Sequence, residues 1–402
     1  MRKRVLIVGG GPAGMAAALA ASKKGADVTL LERRPKPGKK LLATGNGRCN
    51  LANRGKLVYF GDGAFAGNVL SVCPPEDVMR QFEAWGLPLY TDPEGRVYPA
   101  VQQASSVLSV LTERMKQQGV RLVPNADVTD AVYTRKEYVL TVADGQTYTG
   151  DRLILAAGGL AGGGLGNRPQ DYALATGLGH HLTPLFAGLA PIELEIGRYK
   201  RLSGLRVPAY VTLVCNQHTA AVTAGEVLFT DYGISGICVM QLARKVQTLI
   251  GQGRKLEIAL DFTPIFYPET RAYSGAVERK PDMYQRTLEL SQARQREYRN
   301  HYLTGLIPDA LAAVCPSGGL EETASFLTSL RLRVSGVRPM QQAQITCGGI
   351  DTAEVDPLTM ASRLRQGLYF AGEMLNVDGD CGGYNLQFAF ASGLIAGKNA
   401  AE

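Results

Sequence analysis

Val5-Leu6-Ile7-Val8-Gly9-Gly10-Gly11-Pro12-Ala13-Gly14 reads as a buried strand, a glycine turn and the first turn of a helix. The spacing Gly9-x-Gly11-x-x-Gly14 is the dinucleotide fingerprint. Gly9 allows the tight turn, Gly11 lets the backbone approach a pyrophosphate, and Gly14 lets the helix lie close to the strand. The helix start then directs unpaired N–H groups, at the positive end of its dipole, toward phosphate.

The context supports that reading. Ala16, Ala17, Ala18, Ala20 and Ala21 suit a helix packed tightly on a sheet, and Gly25 stands where a C-terminal cap belongs. Val28-Thr29-Leu30-Leu31 is a second strand, ending at Glu32, where an acidic residue meets ribose hydroxyls in a β-α-β unit. Met1-Arg2-Lys3-Arg4 followed by apolar residues imitates a secretory signal. However, three glycines and Pro12 interrupt its apolar core, and such a signal leaves Glu32 unexplained.

The 402 residues suffice for two or three domains, and 45% apolar with 20% charged residues is ordinary for a globular protein. The 47 glycines cluster at 9–14, 45–47, 158–166 and 379–383, a distribution that suggests backbone close to a ligand. Seven scattered cysteines, with no CxxC, argue against a disulfide framework, a zinc site or a dithiol relay. A reducing, cytoplasmic location is the simplest expectation. No apolar run is long enough to span a bilayer. The net charge of +7 raises the question of nucleic acid. Its densest run, Arg33 to Lys40, directly follows the ribose-binding strand and suits a cofactor's phosphates better.

Further along, Leu41-Leu42-Ala43-Thr44-Gly45-Asn46-Gly47-Arg48-Cys49-Asn50 lacks periodicity and reads as a ligand loop. Helices are expected over Pro75–Trp85 and Val101–Gln118, with β-structure over 120–159 turning at Asp144-Gly145. The strand Arg152–Ala156 runs into Gly158 and Gly159, small residues that allow close passage of backbone. Residues 191–262 alternate as short strands, and 266–330 read as mainly helical and polar. Leu368-Tyr369-Phe370-Ala371-Gly372-Glu373, a glycine loop over 378–385 and a small-residue helix from Leu386 repeat the opening texture. A second helix start therefore faces the far end of the same cofactor. Glu373, Asp378 and Asp380 show no metal-ligand spacing, and His180, His181, His218 and His301 no triad spacing, so no metal is expected.

GGGPAGMAAA at 9–18, GKKLLATGNGRCNLAN at 38–53 and GLYFAGEMLNVDGDCGGYNLQFAFASG at 367–393 together resemble the HI0933-like (YhiN-type) family of bacterial FAD-dependent oxidoreductases. EVLFTDYGISG at 226–236 and ITCGGID at 345–351 are similar to further blocks of that family. The resemblance implies an α/β fold: a Rossmann-like, glutathione-reductase-like FAD-binding domain over 1–187 and 346–402. Into it are inserted a β-barrel-like domain over 188–262 and 333–345 and a small helical subdomain over 263–332.

Carried over by motif position, Gly9, Gly11, Ala13 and Gly14 hold the pyrophosphate and Glu32 the ribose. Lys40, Gly47 and Arg48 line the phosphate and flavin side, and the adenine contact falls near Val128. Gly158 passes beside the cofactor, while Gly372, Glu373, Asn385 and Leu386 surround the ribityl chain and flavin. The chain departs from the family pattern over Leu160–Tyr172, where Gly166, Asp171 and Tyr172 match.

The resemblance implies hydride transfer between NAD(P)H, flavin and a small organic substrate, with reduction of a conjugated ketone favoured. The alternatives are an amine oxidase of the aminoacetone oxidase type, a flavin-containing RNA-modifying or RNA-binding protein, and a non-catalytic flavoprotein. No catalytic side chain is assigned. Cys49 and Tyr384, in loops expected near the ring, are the first residues to substitute.

Overall fold

Strand β1 (Arg4–Val8) is the middle of a five-stranded parallel sheet, in a computed structural model describing residues 2–134, 137–165, 168–266, 283–298 and 301–402. Gly166 and the opening part, 267–282, of the expected helical stretch lie outside the described residues. By contact the chain forms two units, Met1–Phe186 with Ile345–Glu402, and Ala187–Gln344.

The other strands of the sheet are β2 (Asp27–Leu31), β3 (Arg121–Val123), β4 (Arg152–Leu155) and β5 (Leu368–Phe370), in the order β5-β4-β1-β2-β3. All pairings are parallel. Val5 to Val8 are buried without alternation, as expected of a central parallel strand covered on both faces. The chain leaves β1 toward β2 and later returns on the other side of β1 as β4. That reversal makes the carboxyl end of β1 a topological switch point, where ligands bind in open α/β sheets. Gly9 follows β1 there with φ +106°, and a Cβ on it would stand 2.5 Å from the Ala156 carbonyl oxygen just beyond β4. No other residue fits.

Helix α1 (Pro12–Lys23) begins with proline at its first position and stops at Gly25, whose N–H donates to the Ser22 carbonyl. It packs against α2 (Tyr384–Ala400), the last helix of the chain. Cβ atoms on Gly393 and Gly397 would run into the carbonyls of Ala13 and Ala17. Four residues on one helix match four on the other, so α1 and α2 run parallel, backbone against backbone. With Ala13 level with Gly393, α2 begins nine residues before the crossing. Helix α1 begins one residue before it, so at 1.5 Å per residue the start of α2 projects about 12 Å beyond that of α1.

The remainder of this unit holds the expected meander, Val128–Thr134, Glu137–Val142 and Thr147–Gly150, paired antiparallel. Several boundaries shift. The second expected helix starts at Ala104, since Val101 is exposed and Gln102 takes φ +50°. Asp378 and Gly379, read as loop, belong to a strand, Val377–Gly379, paired with Tyr59–Gly61. The final helix starts two residues early, at Tyr384, so Asn385 and Leu386 sit in its first turn.

In the other unit a six-stranded closed barrel runs Ile192–Leu194, Gly233–Ser235, His218–Phe229, Arg206–Cys215, Leu256–Asp261, Leu330–Val337. Its central hairpin turns on Asn216 and Gln217, both at positive φ, which matches the twist of the strands. The strands of that hairpin are 10 and 12 residues long, where the alternation alone suggested short ones. Phe229, Phe262 and Phe326 pack together in its core, and helices Met283–Tyr298 and Leu320–Thr328 belong to the same unit.

Candidate cofactor site

The start of α1 has no side-chain cap, because its N-cap is Gly11. Gly10 donates its N–H to Glu32 Oε2 at 2.8 Å, and Glu32 Oε1 accepts the N–H of Arg34 at 2.7 Å. Glu32 at the end of β2 thus ties the glycine turn to the basic turn. Gly11 has extended backbone, φ −81° and ψ −176°, that any residue can adopt, yet a Cβ there meets nothing within 4 Å. Its glycine keeps a space clear instead of making a turn. Gly14 lies so close to the Gly9 carbonyl that a Cβ would overlap it, which holds α1 down on β1.

The start of α2 is uncapped as well, with Gly383 at φ +101°. Segment 48–53 lies across it. A Cβ on Gly383 would stand 2.5 Å from Asn50 Oδ1, Asn53 Nδ2 donates to the Gly382 carbonyl at 2.7 Å, and Asn53 N–H donates to Gln387 Oε1 at 2.8 Å. Asn385 closes the loop before the helix through paired 2.8 Å bonds with the Gly379 backbone. Leu386 is partly buried beside the core.

Between the two helix starts, Lys40 Nζ is 2.7 Å from Glu373 Oε2, and Glu373 Oε1 accepts the Thr346 N–H at 2.8 Å. Thr346 Oγ1 in turn accepts the Ala161 N–H at 2.9 Å. Gly158, at φ +83°, precedes this knot, and a Cβ on Gly159 would stand 2.5 Å from Thr346 Oγ1. Gly372 sits against Ala13, whose Cβ would be 2.8 Å from one added at 372. Val128 is buried at the start of the meander.

The loop before segment 48–53 is held in uncommon backbone. Asn46 and Cys49 have φ +55° and +59°, and Gly45 and Gly47 are also positive. Such conformations cost of order 1–3 kcal/mol at a non-glycine residue and persist where the surroundings over-determine them, often at functional sites. Cys49 is fully buried, and that burial pushes its thiol pKa up to about 12. Gly47 and Arg48 are exposed, and the Arg48 guanidinium lies 5.2 Å from the centre of the Tyr98 ring. Tyr384 is a structural tie: its hydroxyl donates to the Lys56 carbonyl, and its own carbonyl accepts the Tyr59 hydroxyl at 2.8 Å. Burial raises its pKa.

Nearly all the residues singled out in the sequence therefore gather around the starts of α1 and α2, with Val128 at the edge by β3. Tyr98, Thr346, Asn53 and Gln387 were missed. They come from three separate strands and the first turn of a helix, and none carries a spacing signal of its own. Among the described residues no three His, Cys, Asp or Glu converge as metal ligands. Elsewhere in this unit His180 is buried. Its Nε2 is 2.8 Å from Ser362 Oγ and its Nδ1 3.1 Å from Glu354 Oε2, the latter at an angle outside hydrogen-bond geometry. Ser362 Oγ already accepts the N–H groups of Leu364 and Arg365, so it caps a turn and lacks the free lone pair of a nucleophile.

The arrangement suits FAD on its own evidence. The clear space over Gly11 faces an uncapped helix start, and a second uncapped start lies about 12 Å further along the helix pair. Two such starts would suit a cofactor that carries a pyrophosphate and an electron-accepting ring. The family model described as the HI0933-like protein Rossmann domain matches residues 3–399. The chain belongs to the HI0933-like family.

This HI0933-like protein is 35% identical to the 3-dehydro-bile acid Δ(4,6)-reductase of Clostridium scindens, over 99% of both chains. It is 28% identical to the ribosomal RNA dihydrouridine synthase of Escherichia coli, over 98% of both. In fold it resembles the 3-ketosteroid Δ1-dehydrogenase of Sterolibacterium denitrificans, with a TM-score of 0.53 at 12% identity over 99% of each chain. Family and fold make this protein an FAD-dependent oxidoreductase with a Rossmann-type cofactor domain. No helix among the described residues is long and apolar enough to cross a membrane.

Proposed function

We propose that the protein reduces a carbon–carbon double bond conjugated to a carbonyl, drawing hydride from NAD(P)H through bound FAD. The names of two relatives support this reading. One reduces a dehydro-bile acid, and the other makes dihydrouridine, the product of saturating the uracil double bond beside its C4 carbonyl. The two differ in the molecule that carries the bond, not in the bond reduced. An enone steroid is the favoured substrate, because the bile-acid reductase is the more similar of the two.

The observation that carries the reading is the stagger of the two uncapped helix starts. In this assignment Gly9, Gly11, Ala13 and Gly14 hold the pyrophosphate, Glu32 reaches the ribose and Val128 offers backbone to adenine. Lys40, Gly158, Gly372 and Glu373 surround the ribityl chain. Gly47, Arg48, Asn385 and Leu386 lie at the flavin end. Bound FAD supplies two-electron hydride chemistry. The protein supplies the positive end of α2 beside the ring, which favours the anionic reduced form.

Anaerobic stopped-flow mixing tests the proposal. NADH or NADPH is expected to bleach the flavin, and androst-4-ene-3,17-dione or a uridine-containing RNA to restore its colour. Bleaching by aminoacetone, with neither nicotinamide active, would establish the amine oxidase in its place.

A further inference from the structure

Arg48 stands at the flavin end of the site, not at the phosphate end. Segment 48–53 is fastened across the first turn of α2 by the bonds of Asn53 to Gly382 and to Gln387, with Asn50 lying close against Gly383. The start of α1, where pyrophosphate would sit, is about 12 Å back along the helix pair. Lys40 already has its carboxylate, Glu373. Arg48 has no carboxylate within ion-pair reach among the described residues. It is exposed, and its guanidinium carbon lies over the buried ring of Tyr98, 5.2 Å from the ring centre. Tyr98 belongs to strand Arg96–Pro99, whose Val97 pairs with Ala52 in the same segment, so platform and loop are hydrogen-bonded together. A cation with no counter-charge among the described residues, held over an aromatic ring and fixed by a loop that keeps Asn46 and Cys49 at positive φ, is arranged to meet negative charge on something other than the protein.

We infer that Arg48 binds the carbonyl oxygen of the conjugated substrate and stabilises the charge that develops there, with Tyr98 as the residue that positions it. The inference rests on the reduction proposed above. When hydride adds to the β-carbon, the π electrons of the double bond shift toward the carbonyl and its oxygen becomes an enolate. Arg48 donates two N–H bonds to that oxygen or to it and an adjacent acceptor. A proton from water then adds to the α-carbon. Substrate, NAD(P)H and one proton give the saturated carbonyl compound and NAD(P)+. A guanidinium suits this task because it stays charged at every working pH. The same contact serves the 3-oxo group of a steroid and the C4 carbonyl of uracil, so it does not depend on which ring is bound.

The test compares wild type with R48Q, R48K, Y98F and Y98L, each as FAD-loaded holoenzyme. All four are loaded at saturating FAD and their flavin content is measured, so that the comparison reads turnover and not cofactor occupancy. The kcat/KM for androst-4-ene-3,17-dione or for uridine 5′-monophosphate, whichever wild type reduces, should fall by about 100-fold in R48Q, the order seen when one oxyanion donor is removed. It should fall less in R48K, and guanidinium ions added to R48Q should restore part of the loss. Y98F keeps the ring and should retain activity, whereas Y98L should lose it mainly in kcat. Titration of oxidised holoenzyme with the same compounds, followed by the shift of the flavin absorption band, should show weaker binding in R48Q. An R48Q protein that loses FAD, or one that keeps wild-type kcat/KM, overturns the assignment. Wild type that reduces neither compound with either nicotinamide removes the proposed reduction itself, and this assignment with it.

Discussion

Lys40 and Glu373, 333 residues apart in the chain, meet at 2.7 Å, and the same carboxylate holds the Thr346 N–H. Both side chains are less than a third exposed, so the pair is neither a loose surface contact nor a fully buried one. E373A strands the Thr346 amide and the Lys40 ammonium together. It should cost about 1–3 kcal/mol in denaturant unfolding, the range for buried groups left without partners. K40M leaves Glu373 with its amide and should cost under about 1 kcal/mol. Equal losses for the two variants would mean that the ion pair, not the amide bond, secures this junction.

Gly11 and Gly14 should separate ligand space from packing. G11A places a methyl in open space on backbone it can adopt, so its thermal unfolding without FAD should match wild type. Its FAD affinity, read by titration of flavin fluorescence, should drop at least tenfold, because the methyl stands where pyrophosphate must approach. G14A overlaps the Gly9 carbonyl and should lose about 1–3 kcal/mol of stability whether or not FAD is present.

The exposed His181 pairs with Glu354, which also accepts the His181 backbone N–H. The side-chain hydrogen bond to Glu354 raises the His181 pKa. Burial works against ionisation of Glu354, but its bonds to His181 outweigh this and its pKa is lowered. The histidine's share of stability is present in acid and fades as pH rises through its raised pKa. The glutamate's share is present above the ordinary carboxylate range and fades as pH falls through its lowered pKa. The pair should therefore contribute most between those two limits. The NMR titration of the His181 ring should have a midpoint above the ordinary histidine value, and E354Q should bring it back.

Cys49 should be inert in the folded protein. With a pKa near 12, about one part in 10⁴ is thiolate at pH 8, so alkylation should run roughly three orders of magnitude slower than for a free cysteine. Mass mapping after iodoacetamide should find Cys49 unlabelled in native protein and labelled in urea. Rapid native labelling would mean that the 44–50 loop opens.

Much of this protein is written locally. The β1–α1–β2 unit follows from an apolar run, three spaced glycines, an alanine helix and a terminal acid, each a short-range steric or solvation requirement readable within 33 residues. The closing strand, glycine loop and helix are legible for the same reason, and family resemblance supplied the order of the parts. Tertiary structure decided the rest. That Gly393 and Gly397 face Ala13 and Ala17, and so fix a stagger of about 12 Å between two helix starts, depends on which small residues let two backbones touch. Glu373 meets Lys40, and Arg48 lies on Tyr98 with no acid beside it, because the sheet order brings together segments that share no spacing in the chain. A short motif specifies its own backbone. Which charge is neutralised and which is left for a ligand is settled only when distant segments are packed.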